Sequence, residues 1–332
     1  MGRFGSAFFA ALLVLWVCSA FNQTARMVEP IEDREPKDRE PISEGRPVER
    51  IEFVAFKDLA QLTTALNYTA ATWKAGQTDV PRLVLLQVPE RFAEVTFKEV
   101  TVEQKKQIFF RMILPLILMA NEEVTSDREA LMHLKSRLET TRVPYEGDLD
   151  ELRSLANKYR LSEDSDVISV TKLLKTLTRR IDIVPPSLAL AQAATESAWG
   201  TSRFAVEGNA LFGQWTFGGK GMVPEEQRAE KGDHKVASFR SPLHSVRSYL
   251  RNLNTNRAYR EFREDRAAAR AEGKPFSGEA LASALSRYSE RGQDYIKEIR
   301  QIIVGNDLSA LDRSKLVEGP VYELMPVWRA GS

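Results

Sequence analysis

Residues 194–215 read ATESAWGTSRFAVEGNALFGQW, and the interpretation of the chain depends on them. The stretch begins inside an apolar helical pattern, for which Ser187 after two prolines predicts the N-cap and Gly200 predicts the stop. Glu196 is the one acidic residue between those two signals. The presence of a glutamate near the end of such an apolar helix therefore requires a structural or functional explanation.

The neighbours of Glu196 on its helix are apolar or small, namely Leu188, Leu190, Ala191, Ala194 and Ala198. Small residues let helices approach closely, so we expect this helix to be central. Burial raises the pKa of a carboxyl group, because the charged form loses most hydration. A carboxylic acid that keeps its proton near neutral pH is what general acid catalysis requires. The alternative is a solvated glutamate, or one paired with an arginine such as Arg203.

Aromatic and amide side chains follow Glu196 closely in the sequence: Trp199, Phe204, Asn209, Phe212, Gln214, Trp215 and Phe217. Aromatic faces can stack on sugar rings, and amides can hydrogen-bond to hydroxyl and N-acetyl groups. We interpret four of these residues as candidates for substrate binding: Trp199, Asn209, Gln214 and Trp215. Phe204 and Phe212 are interpreted as ordinary core residues.

The stretch LALAQAATESAWGTSRFAVEGNALFGQW resembles the motif of the bacterial glucosaminidase domain, a family of peptidoglycan hydrolases that includes flagellar and autolysin enzymes. The shared pattern is an apolar helix ending in Glu-Ser-x-Trp-Gly, followed by an Asn-Leu-Phe-Gly-like turn. Two further segments, SFRSPLHSVRSYLRNLNTNRAYREFR and YSERGQDYIKEI, look most like the Bax-type branch of Gram-negative bacteria. The resemblance covers about residues 165–305.

The resemblance implies a mainly α, lysozyme-like α+β fold: a helical glucosaminidase domain with a small β-hairpin lobe and a groove for glycan strands. It implies that Glu196 is the general acid. It also implies a second catalytic group on the β-lobe, where Glu226 is the candidate. Glu225, Glu230, Asp233 and the N-acetyl group of the substrate remain alternatives, since substrate assistance replaces the second carboxylate in some glycosidases.

A late tyrosine motif of the same family corresponds to YSERGQDY, Tyr288 to Tyr295, although the Thr-Asp-Pro of the family pattern is absent. The resemblance implies that Tyr288 lies at the site as a third catalytic candidate. We interpret Tyr295 as a packing residue.

The resulting functional hypothesis is an endo-β-N-acetylglucosaminidase that cleaves β-1,4 glycosidic bonds of peptidoglycan without a metal or an organic cofactor. One alternative is a lytic transglycosylase or muramidase on the same fold, which usually continues after Glu-Ser with a Gly-Leu-Met-Gln-like turn. The NALFGQW segment is closer to the glucosaminidase form. The other alternative is a non-catalytic peptidoglycan-binding module.

The composition excludes several other classes of function. A net charge of +1 argues against strong binding to nucleic acid, which needs a basic surplus. The single cysteine, Cys18, excludes an intramolecular disulfide bond and a cysteine-rich metal site. The three histidines, His133, His234 and His244, are too scattered to predict a zinc site.

The N-terminal segment predicts export. Arg3 precedes an uncharged apolar run at residues 4–21, which is typical of a signal peptide but is also just long enough for a membrane anchor. We therefore expect residues 1–21 to be one or the other. The body of the protein would then be periplasmic, or anchored in the inner membrane and facing the periplasm. The oligomeric state is left open.

The rest of the chain divides by composition. Residues 22–50 combine prolines with charges of both signs and predict a disordered linker. Residues 51–160 predict a mostly helical region with short strands at IEFVAF and RLVLLQVP, and with a helix that Pro115 kinks or breaks. The glucosaminidase domain follows at residues 165–305. The tail at residues 306–332 carries no strong signal.

Overall fold

The computed structural model is mainly α-helical, with small strands set among the helices. This confirms the expected fold class of a mainly α protein with a small β-lobe. The residues that the structure describes are 51–56, 58–66, 79–89, 92, 94, 98, 100–140, 145–161, 169–216, 221–223 and 235–326.

The described strands, in chain order, are β1 (Ile51–Phe56), β2 (Asp79–Val80), β3 (Leu83–Leu85), β4 (Trp215–Thr216), β5 (Gly221–Met222), β6 (Lys235–Ala237), β7 (Lys315–Leu316) and β8 (Val321–Pro326). The described helices are α1 (Leu59–Ala65), α2 (Val102–Thr140), α3 (Glu146–Lys158), α4 (Val170–Arg180), α5 (Pro186–Glu196), α6 (Arg203–Gly208), α7 (Pro242–Thr255), α8 (Arg260–Ala271), α9 (Gly278–Leu281) and α10 (Gln293–Gly305). Short 3₁₀ turns lie at Arg257–Tyr259, Ala282–Leu285 and Leu308–Arg313.

Helix α2 runs unbroken through Pro115, so the sequence-based option of a break at this residue is wrong. Proline removes one backbone donor, but Met112–Ala120 are all buried around it. Burial of this apolar face stabilises the helix more than one missing hydrogen bond destabilises it. The same burial confirms that the segment is a core helix, and it packs against α5 and α7.

Helix α5 lies at the centre of the protein, as the small residues predict. Its residues from Pro186 to Thr195 are all buried. The expectation that Ser187 is its N-cap is wrong, because Pro185 holds that position and Pro186 starts the helix. The amide and the hydroxyl of Ser187 each donate to the Asp312 carboxylate, at 2.8 Å. A carboxylate from the C-terminal part of the chain therefore satisfies one free backbone donor at the start of α5.

The C-terminal segment completes a parallel sheet with the order β1-β8-β3. Strand β8 is the central strand and pairs with β1 from Ile51↔Val321 onwards, and with β3 from Leu83↔Tyr322 onwards. Strands β2 and β7 form a second parallel pair. The strands predicted at IEFVAF and within RLVLLQVP are confirmed as β1 and β3, whereas the central strand had no clear sequence signal.

The third sheet, β4-β6-β5, is antiparallel and forms the small β-lobe beyond α6. It lies directly after the motif that contains Glu196, so it borders the candidate site. Within the described part of the chain, none of the helices is both long and apolar enough to cross a membrane. The apolar run at residues 4–21 and the linker at residues 22–50 lie outside the described residues.

Candidate active site

Glu196 is the last residue of α5 and is half-buried. The Oε1 atom is inaccessible to solvent and has no hydrogen-bond partner among the described residues. Burial raises the pKa of Glu196 from 4.5 to about 8. The Tyr295 hydroxyl and the Arg291 charge lower this pKa, whereas the Glu298 charge raises it further. Glu196 is therefore mostly a neutral acid at neutral pH.

The helix stops directly after Glu196 because the next residues leave the helical conformation. Ala198, Trp199 and Gly200 are all left-handed, with φ of 51°, 60° and 76°. This backbone conformation costs about 1–2 kcal/mol for each non-glycine residue. Ser197 holds the turn, since its Oγ donates to Ala193 O at 2.6 Å and accepts from Gly200 N at 2.8 Å. The strained turn fixes Glu196 at the end of a rigid helix, where functional strain is often found.

The backbone at Gly213 lies directly against the Glu196 carboxyl group. Gly213 has φ of +58°, and a Cβ at this position would lie 3.0 Å from Glu196 Oε2. Glycine is needed here for both reasons, because a side chain would be strained and would also press on the carboxyl group. The NALFGQ segment thus covers Glu196 closely while leaving its oxygen atoms free of bulk.

Tyr249 and Tyr295 border Glu196 and are joined through Gln192, one helical turn before Glu196. Tyr249 OH donates to Gln192 Oε1 at 2.6 Å, and Gln192 Nε2 donates to Tyr295 OH at 2.9 Å. The Tyr295 hydroxyl proton is therefore free to point towards Glu196. Burial, and next the charges of other groups including Glu196, raise the pKa of both tyrosines well above 10. Both phenols remain protonated hydrogen-bond donors.

Tyr288 packs against Tyr295 and Tyr249, and its catalytic role stays a prediction. Its ring stacks on Tyr295 with centroids 5.6 Å apart and 8° between the planes. Its hydroxyl donates to Phe212 O at 3.1 Å, one residue before Gly213. Tyr288 thus supports the segment that covers Glu196, and Glu196 is among the charges that raise its pKa after burial.

Gln214 and Trp215 continue from Gly213 into the β-lobe, and both are buried. Gln214 Nε2 donates to Ser248 Oγ at 3.1 Å, while Gln214 Oε1 has no hydrogen-bond partner among the described residues. This oxygen is a free acceptor close to Glu196 in the sequence. Trp215 is the first residue of β4 and is 4% exposed. Its ring is therefore buried in this structure and is not an exposed face on which a sugar ring could stack.

Trp199 and Asn209 point away from the carboxyl group and contact the N-terminal region instead. The Trp199 ring packs edge-on against Phe109 and Phe110 of α2, at centroid distances of 5.8 and 5.4 Å. Asn209 Oδ1 accepts from Val88 N, and its Nδ2 donates to Phe239 O, both at 3.1 Å. In this structure the two residues fix turns that follow Glu196 in the chain, and their role in glycan binding stays a prediction.

Sequence reasoning missed several polar residues around Glu196. Gln192 and Tyr249 had no assigned role, and Tyr295 was interpreted only as a packing residue. Arg291 and Glu298 form an ion pair whose two charges act on the Glu196 pKa. Gln192 was detectable, because a polar residue four positions before Glu196 lies on the same helix face. The ion pair had no such signal, since α10 is about a hundred residues further along the chain.

The candidates for the second catalytic group, Glu225, Glu226, Glu230 and Asp233, lie outside the described residues. Their position relative to Glu196 stays a prediction. In the described ranges, no three or more His, Cys, Asp or Glu side chains are grouped so that they could hold a metal ion.

Comparison with known proteins adds an independent observation. Residues 171–308 match the Glucosaminidase family, described as mannosyl-glycoprotein endo-beta-N-acetylglucosaminidase. The chain is 31% identical over 196 residues to Protein bax of Escherichia coli (strain K12). The matched part is 58% of this chain and 66% of that protein, so the chain spans slightly less than two thirds of its relative. No solved structure matches the chain.

Proposed function

Because residues 171–308 form a glucosaminidase-family domain of the Bax type, we propose that this protein hydrolyses peptidoglycan as an endo-β-N-acetylglucosaminidase. The bond cleaved is the β-1,4 bond that follows N-acetylglucosamine. The enzyme acts in the cell envelope, after export or anchoring through residues 4–21. Peptidoglycan glycan strands are its substrate, and neither a metal nor an organic cofactor takes part.

The observation that carries this proposal is the state of Glu196. With a pKa of about 8, the neutral acid outnumbers the carboxylate by about ten to one at pH 7. Glu196 can then donate its proton to the glycosidic oxygen while positive charge develops on the sugar. Glycine at position 213 keeps a Cβ from pressing on Oε2 of this acid.

The surrounding polar groups support this proton transfer. After Glu196 has given up its proton, its carboxylate needs a hydrogen-bond donor. The Tyr295 hydroxyl can donate to it, because Gln192 uses only the acceptor side of that hydroxyl. Gln192 holds that hydroxyl in place through the bond from its Nε2. Substrate binding by Gln214 stays a prediction, because its Oε1 is buried in this structure.

A second group must act on the opposite face of the sugar. Glu226 is the candidate carboxylate of the β-lobe, and the acetamido oxygen of the substrate is the alternative nucleophile. The first arrangement needs a carboxylate close to the anomeric carbon, while the second needs only that the acetamido group is positioned.

End-group analysis of the products tests the proposal. The protein is incubated with Gram-negative sacculi, the soluble products are reduced with borohydride, and mass spectrometry identifies the new chain ends. Reduced N-acetylglucosamine ends are expected. Anhydro-muramic ends would assign the protein to the lytic transglycosylases, and reduced muramic ends to the muramidases. Sacculus binding without any soluble product would favour a non-catalytic binding module.

A further inference from the structure

Arg291 and Glu298 form an ion pair beside Glu196. Arg291 Nη2 donates to Glu298 Oε2, and both charges act on the Glu196 carboxyl group. The two residues flank Tyr295, whose hydroxyl interacts with Glu196. Glu298 follows Tyr295 by three residues on α10, so these two side chains lie on one face of that helix. The ion pair therefore borders the acid that protonates the glycosidic oxygen in the proposed reaction.

The backbone holds Arg291 in a turn directly before α10. Arg291 N donates to Ser289 Oγ at 3.3 Å, and the Arg291 carbonyl accepts from Asp294 N at 3.1 Å. Tyr288, at the start of this turn, donates to Phe212 O at 3.1 Å. The turn that positions Arg291 is therefore bonded to the segment that covers the catalytic acid.

The ion pair is accessible to a ligand. The Arg291 side chain is 33% exposed and the Glu298 side chain is 34% exposed. A guanidinium group has several N–H donors, and among the residues that the structure describes, Arg291 uses this group only for the bond to Glu298. Arg266 is the opposite case, because it is buried and its guanidinium donates to four backbone carbonyl groups. Arg291 thus keeps donors for a ligand, and Glu298 limits the side-chain freedom that ligand binding would cost.

The proposed substrate brings a carboxyl group close to this ion pair. In the bond that follows N-acetylglucosamine, the oxygen that Glu196 protonates belongs to the next sugar, a muramic acid unit. The adjacent carbon of that sugar carries a lactyl ether with a carboxyl group, which N-acetylglucosamine lacks. This group is a free carboxylate where the stem peptide has been removed, and an amide where the peptide is attached. Arginine binds a carboxylate through charge-assisted hydrogen bonds, which are stronger than those to a neutral carbonyl.

We propose that Arg291 binds the lactyl carboxylate of the muramic acid unit next to the scissile bond, and so selects muramic acid glycans over polymers of N-acetylglucosamine. This inference rests on the proposed function. Glu298 orients the guanidinium and does not itself contact the sugar. Strands without stem peptides are the preferred ligand, because their lactyl group carries a full charge. Arg291 is thus a specificity residue, whereas Glu196 supplies the proton.

Calorimetric titration of the full chain tests this proposal, with Glu196→Gln present so that the ligands stay intact. One ligand is a peptide-free tetrasaccharide of alternating N-acetylglucosamine and N-acetylmuramic acid. The other is chitotetraose, which has the same length and no lactyl group. At pH 6 the glutamine matches the neutral acid of the native protein, and the lactyl carboxylate is ionised. The muramic tetrasaccharide is expected to bind about tenfold more tightly than chitotetraose.

Further substitutions in this chain separate Arg291 from its partner. Glu298→Gln should retain the preference, because the glutamine oxygen still accepts a hydrogen bond from the guanidinium. Arg291→Gln combined with Glu298→Gln removes both charges, leaves no unpaired carboxylate, and should bind both tetrasaccharides equally. Lys297→Gln is the matched control and should keep the preference, since Lys297 lies on the same helix and is 73% exposed. The affinity for chitotetraose should be the same in all variants.

The proposal is overturned if the Glu196→Gln chain does not prefer the muramic tetrasaccharide, or if the preference survives the loss of both Arg291 and Glu298. Loss of the preference in Lys297→Gln would also contradict it, because net charge would then explain the effect. Binding does not require bond cleavage. Intact selectivity without hydrolysis of sacculi would therefore contradict only the catalytic part of the proposed function. Reduced N-acetylglucosamine ends without selectivity would contradict only this inference.

Discussion

Glu196 is held in a position that favours its neutral form, and this has a consequence for stability. Its pKa is about 8 in the folded protein, against an ordinary value of 4.5. Between these values the unfolded chain releases the proton and the folded chain keeps it. Stability therefore falls as the pH rises from about 4.5 to about 8, and below 4.5 the effect disappears.

Replacing Glu196 by glutamine should accordingly stabilise the protein. The amide keeps the shape of the neutral acid and has no proton to lose, so Glu196→Gln should gain roughly 3 kcal/mol at pH 7. Urea unfolding at pH 4.5 and pH 7 measures this, and the gain should be present only at the higher pH. Glu207→Gln is the matched control, because Glu207 is exposed in the neighbouring helix α6. A loss of stability in Glu196→Gln at pH 7 would show that the carboxylate makes a structural ion pair.

Gly213 allows a test of how closely the backbone covers the carboxyl group. Gly213→Ala should lose about 1–2 kcal/mol of stability from its left-handed backbone, and should also lose activity because the new Cβ presses on Oε2. Gly273→Ala is the matched control, since Gly273 has φ of +64° and no atom within 4 Å of the added Cβ. Urea unfolding should show similar losses for both, while release of fragments from sacculi should fall only for Gly213→Ala. Equal activities would contradict a close contact at Glu196.

Tyr295 tunes the proton affinity of Glu196. Its hydroxyl lowers the Glu196 pKa, so Tyr295→Phe should raise that pKa further. In the proposed mechanism the neutral acid is the active form, so the alkaline limb of the pH–rate profile should move to higher pH. The maximal rate should fall on the order of tenfold, because the carboxylate left after proton transfer loses a donor. The exposed Tyr145 provides the control Tyr145→Phe, and an unchanged profile in Tyr295→Phe would leave Tyr295 with a packing role only.

At the scale of secondary-structure elements, the sequence predicted helix α5 but not the turn that follows it. An apolar run with a single glutamate was enough to place Glu196 at the end of a central helix. The left-handed turn that follows could not be predicted, because alanine and tryptophan rarely adopt this conformation without tertiary support. That support comes from α2, whose Phe109 and Phe110 pack on Trp199.

Strand β8 is a second element that could not be predicted from the local sequence. Its six residues, VYELMP, form a short run without a regular apolar/polar alternation. The strand is stable only because β1 and β3 flank it, and these come from more than two hundred residues earlier in the chain. Strand pairings between residues this distant in sequence produce little local sequence pattern. The apolar periodicity of a helix, in contrast, is visible within a few turns of sequence.

Leu324 should contribute strongly to the stability of this sheet. It is 1% exposed in the central strand, so Leu324→Ala should cost about 2–5 kcal/mol through lost burial and the cavity that remains. Met325 is the next residue of the same strand and is 41% exposed, so Met325→Ala should cost much less. Urea unfolding of both variants measures the difference. Equal and small losses would mean that the C-terminal strand is not part of the cooperative fold.

At the scale of the whole molecule, the described N-terminal region and residues 171–308, which match the Glucosaminidase family, share one hydrophobic core. The core extends from Leu62 to Leu324 and includes residues of α2, α5, α7 and α10. Polar contacts join the same parts, such as the bond from Val88 N to Asn209 Oδ1. The N-terminal region therefore supports the backbone that follows Glu196.

The central claim, that Glu196 is the acid of a glycan hydrolase, is tested most directly by fragment release from sacculi. The native protein, Glu196→Gln and Glu207→Gln are compared at pH 6, where the native acid is protonated. We expect Glu196→Gln to lose about 10²–10⁴-fold in rate while it remains folded, and Glu207→Gln to match the native protein. Full activity in a folded Glu196→Gln variant would contradict the claim, because the amide has no acidic proton to donate.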